Sequence, residues 1–230
     1  MLRNDCLNGL HKADWPYLSR AEINRYLTQH KVGHTAPTLN RYMKELMDSG
    51  IVHGSGRGWY SFLPKPLALD NTPVTEMVEL LRAAFPFLRF TCWSTVQVNP
   101  WMHHLFGTPT HFVMTARDAW GDVAARMRDA GWNCVVNPRG AQARSFEPGA
   151  QTVVLRALHS AAPAPETGGH PALAEQLLVE LRLEAETLNL LSVAEFHAMA
   201  RQMVAAGRIN MGEFLHYASK CLMAQSDLFG

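Results

Sequence analysis

The sequence predicts an α+β protein of two domains, and three observations support this prediction. Helix-type and strand-type apolar patterns follow one another along most of the 230 residues. Lys65-Pro66 closes a short first segment (residues 1–66), and a connector at 67–71 leads to a longer second segment (72–230). Because 47% of the residues are hydrophobic and only 18% are charged, the chain can bury one large core or two small ones.

The first segment predicts two helices joined by a short turn. Ser19 begins a Ser-x-x-Glu capping box at the start of a helix over residues 20–29. We expect Gly33 to supply the turn that follows, and Thr35 to be the N-cap of a second helix that ends at Gly50. Apolar residues recur at helical spacing in this second helix, namely Leu39, Tyr42, Met43, Leu46 and Met47.

A glycine-rich stretch between two β-prone runs predicts a β-hairpin. The runs are residues 51–53 and 59–62, and the turn between them is Gly54-Ser55-Gly56-Arg57-Gly58. Two helices followed by a hairpin is the element order of a winged helix-turn-helix. Residues 1–66 are therefore predicted to form such a domain.

Charge is divided unevenly between the two segments. Residues 1–66 contain nine Lys and Arg against five Asp and Glu, a balance of +4. The remainder contains twelve against fifteen, a balance of −3, and the two sum to the net charge of +1. A basic segment beside a mildly acidic one indicates an anionic partner for residues 1–66.

Double-stranded DNA is the partner that this element order favours, although winged domains also bind proteins. The second helix of the motif enters the major groove, so we expect Thr35, Thr38 and Arg41 near base edges and Lys44 near a phosphate. Glycines in the hairpin turn would let the backbone approach a phosphate, or let Arg57 enter the minor groove. The predicted DNA-contacting residues are Arg20, Thr35, Thr38, Arg41, Lys44 and Arg57.

The second segment predicts an α/β body over residues 72–158 and a helical tail over residues 172–223. A loop at 159–171 separates them. The body has predicted helices at 72–85, 101–106 and 119–130 and predicted strands at 88–93, 111–115, 132–136 and 152–158; the tail has predicted helices at 172–189, 192–206 and 211–223.

The chain resembles the AbiEi-type antitoxins of bacterial abortive-infection and type IV toxin–antitoxin loci over nearly its whole length. The resemblance rests on the winged segment, Trp59-Tyr60, Thr-Cys-Trp-Ser-Thr at 91–95, Val-Val-Asn-Pro at 135–138, and tail motifs at 171–181 and 214–218. It implies a winged domain that represses its own operon, commonly at inverted repeats. It also implies a nucleotidyltransferase-like body that takes part in neutralising a nucleotidyltransferase-like toxin. Gln176 stands where the family tends to have Lys.

The nucleotidyltransferase-like body is expected to be inactive. Nucleotidyl transfer needs a Gly-Ser turn and carboxylates on neighbouring strands that hold two divalent metals. Ser94 lacks the preceding glycine, and the strands at 111–115 and 152–156 carry no Asp or Glu. Ser94 also lacks an assignable base, and His103, His104 and His111 lack a nearby cysteine or paired carboxylate. We expect no catalytic residue, cofactor or metal.

The sequence therefore predicts a DNA-binding autorepressor and antitoxin. No apolar run is long enough to cross a bilayer and no signal peptide opens the sequence, which favours a cytoplasmic location without a membrane partner. Two alternatives stay open. One is a winged-helix regulator whose body senses a small ligand, and the other is an active nucleotidyltransferase-like enzyme.

Overall fold

The computed structural model describes residues 15–33, 35–164 and 170–230, and they divide into two compact units. The first unit ends at Ala68 and also contains Met203–His216, while the second comprises Leu69–Gln202 and Tyr217–Gly230. The division between Ala68 and Leu69 lies inside the predicted connector. The assignment of residues 203–216 to the first unit differs from the prediction, which placed the whole tail in the second domain.

The described residues up to Ala68 in the first unit form two α-helices and a three-stranded sheet. Strand β1 (Tyr17–Ser19) precedes helices α1 (Arg20–Gln29) and α2 (Ala36–Asp48), and strands β2 (His53–Gly54) and β3 (Trp59–Ser61) form the hairpin. The sheet order is β1-β3-β2 and both pairings are antiparallel. Strand β1 was not predicted, because its three residues are too few to show an alternating pattern.

Side-chain caps begin both helices where the sequence predicted. At α1, the Ser19 backbone N–H donates to Glu22 Oε2 at 2.7 Å and the Glu22 N–H donates to Ser19 Oγ at 3.1 Å, which confirms the capping box. At α2, the hydroxyl of Thr35 accepts the Thr38 N–H at 3.3 Å. The core between them consists of Leu18, Ile23, Leu27, Leu39, Met43, Leu46 and Val52.

The turn between α1 and α2 differs from the prediction at Gly33. Lys31, with φ +55°, is the residue in the left-handed region, and Gly33 is not. A left-handed residue is needed directly after the last helical turn, where it lets the Val32 N–H donate to Leu27 O at 2.9 Å. That place falls on Lys31. The residue after Gly33, His34, lies outside the described residues.

The second unit contains a mixed four-stranded sheet between helices. Its order is β4-β5-β7-β6; β4 is antiparallel to β5, while β7 is parallel to both of its neighbours. The strands are β4 (Phe90–Ser94), β5 (Thr110–Thr115), β6 (Asn133–Val136) and β7 (Thr152–Ala157), and the helices of this part are α3 (Thr75–Ala84), α4 (Trp120–Asp129), α5 (Ala141–Arg144) and α6 (Ala174–Thr187).

Alternation along the strands divides the side chains between the two faces of this sheet. Cys92, Val113 and Val153 belong to one face and pack with apolar residues of α3 and α4. Thr91, Trp93 and Arg156 belong to the other face, where hydrogen bonds join them to α6. The class is therefore α+β, with a layer of helices on each face of the second sheet.

One predicted helix of the body is wrong. A 3₁₀ helix occupies Thr95–Trp101, and residues 102–106, predicted as helical, form a loop. The Asn99 side chain holds this loop, because it accepts the Phe106 N–H at 2.9 Å and donates to Phe106 O at 3.2 Å. In a helix over residues 101–106, the Phe106 N–H would donate to the carbonyl of Met102 and could not reach Asn99 as well.

Three further helices follow α6, namely α7 (Val193–Ala206), α8 (Met211–Lys220) and α9 (Gln225–Phe229). The predicted third tail helix thus ends at Lys220 rather than at 223, and α9 was not predicted. Among the described residues, every helix falls short of the length and apolarity that crossing a bilayer requires.

Candidate functional site

The exposed face of α2 carries the basic side chains that the sequence singled out. Leu39, Met43 and Leu46 are buried on one side of this helix, while Arg41 and Lys44 are exposed on the other. The Arg41 side chain is 67% exposed, and its Nε lies 3.7 Å from Glu45 Oε1. Because such an exposed pair one turn apart contributes little free energy, the Arg41 guanidinium stays available to a partner.

Arg20 reaches the same helix through a hydrogen bond that the sequence did not predict. Its Nη1 donates to Asn40 Oδ1 at 2.5 Å, and Asn40 is exposed on α2 next to Arg41. Thr35 and Thr38, predicted near base edges, share a hydrogen bond of 2.9 Å between their hydroxyls at the start of α2. Both threonines therefore have a capping role, and the structure brings Arg20, Thr35, Thr38, Arg41 and Lys44 together around this helix.

Arg57 lies in the hairpin turn between β2 and β3, and its side chain is exposed. The residue before the turn glycine, Ser55, is buried against the segment 209–212. Its Oγ donates to Ile209 O at 2.6 Å and accepts the Met211 N–H at 3.2 Å, and its carbonyl accepts the Gly212 N–H at 3.1 Å. Three hydrogen bonds thus fix the turn within the first unit.

One glycine of the turn, Gly56, is needed for a close approach inside the first unit. A Cβ at Gly56 would clash with Asn210 Oδ1 and lie 2.9 Å from the Gly212 nitrogen, and a Cβ at Gly212 would lie 2.8 Å from the Arg57 nitrogen. The close backbone approach is therefore made to the segment 209–212. The Arg57 side chain is exposed, and so are Gly54 and Gly58, which have open space where a Cβ would be. That the turn backbone approaches a phosphate at these glycines stays a prediction.

A second set of contacts joins the segment 204–209 to the rest of the first unit. The Tyr17 hydroxyl lies 3.1 Å from the carbonyl oxygens of Val204 and Gly207 and accepts the Ile209 N–H at 3.0 Å. Arg208 Nη1 donates to the carbonyl oxygens of Leu63 and Pro64, each at 3.0 Å. These partners are far apart in sequence, so no local pattern could have predicted them.

The second unit has a buried polar network centred on Glu180 of α6. Glu180 Oε2 accepts the indole N–H of Trp93 at 2.6 Å, and Oε1 accepts the Gln176 amide at 2.9 Å and the Tyr217 hydroxyl at 3.0 Å. Burial raises the pKa of Glu180 to about 7, against an ordinary value of 4.5. Trp93 also stacks on Phe112 with ring centroids 4.0 Å apart, so it packs inside the unit.

One turn further along α6, Glu184 forms a buried ion pair with Arg156 of β7. Nε and Nη2 of Arg156 each lie 2.6 Å from one oxygen of the Glu184 carboxylate. Nη1 donates to Asn137 Oδ1 at 3.1 Å and to Pro138 O at 2.9 Å. Sequence analysis noted only that the strand containing Arg156 carries no Asp or Glu. An arginine inside the apolar run 153–157 was a usable signal, because a buried charge needs a partner.

A cavity of about 330 Å³ lies beside this network, wholly within the second unit. Its wall contains polar side chains together with the apolar side chains of Met114 and Leu183. The ionisable residues that line it are Arg139, Arg156, His159, Glu180, Glu184, Tyr217 and Cys221.

Sequence analysis considered Ser94 and His111 separately, but the two residues are directly paired across β4 and β5. Both are buried, with 0% and 5% of their surface exposed, and burial lowers the pKa of His111 to about 4. Ser94 Oγ, His111 Nδ1 and the indole nitrogen of the neighbouring Trp132 have no hydrogen-bond partner among the residues that the structure describes. Within the described ranges, no three or more His, Cys, Asp or Glu side chains are grouped to hold a metal ion.

The fold and these sites define an α+β protein with an exposed basic helix in one unit and a polar cavity in the other. The chain belongs to DUF6577, a family of unknown function, whose model matches residues 38–226. No curated protein matches it significantly. Among solved structures it is similar to the RV2827C protein from Mycobacterium tuberculosis, with 13% identity over 93% of this chain and 79% of that one and a TM-score of 0.26. This level of similarity does not establish a common fold.

Proposed function

We propose that the first unit is a winged helix-turn-helix domain that binds duplex DNA, with α2 as the recognition helix and the β2–β3 hairpin as the wing. The observation that carries the proposal is the exposed face of α2. Arg41 and Lys44 point away from the buried side of this helix, and Arg20 joins them through Asn40. Arginine in a major groove can donate two hydrogen bonds to one guanine, and lysine neutralises a phosphate.

On this proposal the protein is an autorepressor and antitoxin of the AbiEi type, located in the cytoplasm, and its second unit is a non-enzymatic platform for a toxin. The motifs quoted above for the resemblance support it. So does the state of the carboxylates around the cavity: Glu184 is paired with Arg156, and Glu180 accepts three side-chain donors. Carboxylates engaged in this way do not offer free oxygens to two divalent metals.

DNA binding is tested by titrating duplex from the protein's own upstream region at several salt concentrations, with fluorescence anisotropy as the readout. We expect affinity to fall steeply with salt, because phosphate contacts release counterions. Arg41→Ala should weaken binding to the specific duplex by about 1–3 kcal/mol and binding to a random duplex much less. Arg144→Ala is the matched control, because Arg144 is an exposed arginine of the second unit. Salt-independent binding, or equal losses in the two variants, would contradict the proposal.

The antitoxin role is tested by co-expressing the full chain with the gene next to its own. If that gene encodes a nucleotidyltransferase-like toxin, the chain should restore growth, and variants of α2 that fail to bind DNA should still restore it. Absence of any toxic neighbour, or toxicity that the chain does not relieve, would favour a second candidate. That candidate is a winged-helix regulator that senses a ligand, and the cavity of the second unit is the observation in its favour.

A further inference from the structure

Two carboxylates line the cavity of the second unit, Glu180 and Glu184, and both already accept hydrogen bonds from neighbouring side chains. Both oxygens of Glu184 accept from the guanidinium of Arg156, at 2.6 Å each. Glu180 accepts from Trp93, Gln176 and Tyr217. A cationic ligand would have to displace these donors, so the acidic residues of the wall do not favour one.

Three other residues of the wall have N–H donors with no acceptor among the residues that the structure describes. Arg139 is exposed and forms no ion pair with any residue in the described part of the chain. His159 Nδ1 accepts the Ala161 backbone N–H at 3.1 Å, which leaves the proton of the neutral ring on Nε2. Asn137 gives its carbonyl oxygen to Arg156, so its amide group keeps its own donors. Three groups with free N–H bonds thus line one cavity.

The remaining wall is suited to an apolar or aromatic group. Met114 and Leu183 line the cavity, and the rings of His159 and Tyr217 meet at an angle of 60° with centroids 5.8 Å apart. A volume of about 330 Å³ is at the lower end of the range for small-molecule pockets and fits a molecule with a single ring.

We propose that this cavity binds a small organic anion, with a phosphate or carboxylate head held by Arg139 and His159 and an apolar or aromatic body held against Tyr217, Met114 and Leu183. Arg139 supplies the charge that pairs with the head, because the charge of Arg156 is already neutralised by Glu184. The site lies entirely in the second unit, so this proposal does not rest on DNA binding by the first.

The test is isothermal titration calorimetry of the full chain with four probes at constant ionic strength: phenyl phosphate, benzoate, inorganic phosphate and benzylamine. We expect phenyl phosphate or benzoate to bind with one site per chain, at least tenfold more tightly than inorganic phosphate, because only the aromatic probes fill the apolar wall. Benzylamine has the same ring with a positive charge, and we expect no binding. The tighter of the two aromatic anions identifies the head group.

Arg139→Gln should weaken binding of the aromatic anions at least tenfold, because one charge-assisted hydrogen-bonded pair is lost. Arg144→Gln removes an exposed arginine that does not line the cavity and should leave affinity unchanged. Equal melting temperatures of both variants and the wild type would exclude unfolding as the cause. Failure of both aromatic anions to bind, benzylamine binding as tightly as they do, or unchanged affinity in Arg139→Gln would overturn the proposal.

Discussion

The two units of this protein use charged side chains in opposite ways. In the first unit, Arg41, Lys44 and Arg57 are exposed, and Glu45, whose carboxylate lies 3.7 Å from Arg41 Nε, is itself 63% exposed. In the second unit, Arg156 and Glu184 are buried and joined by two bonds of 2.6 Å. Charges of the first kind are free to meet a partner, whereas charges of the second kind are committed to the fold.

The largest effect is expected where the buried pair is broken. Arg156→Met leaves the Glu184 carboxylate buried without a cation, which should lower the free energy of unfolding by about 3–5 kcal/mol. Arg156→Met combined with Glu184→Leu removes both charges and should recover most of that loss. Urea denaturation of the full chain measures both. If the single variant were no less stable than Arg41→Ala, the buried pair would not have the structural role assigned to it.

The next effect concerns the hairpin turn of the first unit. Gly56→Ala forces a left-handed alanine with φ +90° into contact with Asn210 and Gly212, and should destabilise the unit by about 2–4 kcal/mol. Gly58→Ala is the matched control, because Gly58 has φ +75° but open space around its Cβ position. That variant should lose only about 1–2 kcal/mol.

Thermal unfolding, together with hydrogen exchange of the backbone amides at 207–212, distinguishes the effects of Gly56→Ala and Gly58→Ala. Exchange at Gly212 should accelerate in Gly56→Ala, because its N–H donates to Ser55 O beside the altered turn. It should change little in Gly58→Ala. If both variants were equally destabilised, the strain of a left-handed alanine would account for the whole loss, and the contact of Gly56 with the segment 209–212 would contribute nothing to stability.

A pH-dependent effect is expected from Glu180. Its pKa of about 7 in the folded state is higher than its ordinary value of 4.5, so the folded protein holds the proton more tightly than the unfolded chain. Stability contributed by this group is therefore full below about pH 4.5 and is lost as pH rises to about 7, a change of about 3 kcal/mol.

Glu180→Gln isolates this contribution from that of His111. Burial lowers the pKa of His111 to about 4, so this residue removes stability as pH falls below its ordinary value of 6.5 and opposes Glu180 in the same range. Because His111 is common to both proteins, the stability of Glu180→Gln relative to wild type should rise by about 3 kcal/mol from pH 4.5 to 7. A constant difference across that range, measured by urea denaturation, would contradict the assignment.

The comparison also explains which features the sequence could predict. Helix α1 has the predicted bounds, because its capping box and its apolar residues Ile23 and Leu27 are local signals. The bond from Trp93 to Glu180 spans 87 residues and that from Ser55 to Ile209 spans 154, so no window of the sequence contains both partners. The exposed residues of α2 were found from the periodicity of its buried side. The buried network was missed because its members lie on β4, β7, α6 and α8, which are far apart in the sequence.

The smallest effect is expected at the exposed pair on α2, and it separates the two uses of charge most directly. Glu45→Gln removes an acidic side chain beside Arg41, and because both are exposed, the free energy of unfolding should change by less than about 0.5 kcal/mol. If α2 contacts DNA as proposed, the same variant should bind duplex about twofold to fivefold more tightly at low salt, because one repulsive charge near the phosphates is lost. Unchanged binding at every salt concentration would place Glu45, and with it this face of α2, away from the nucleic acid.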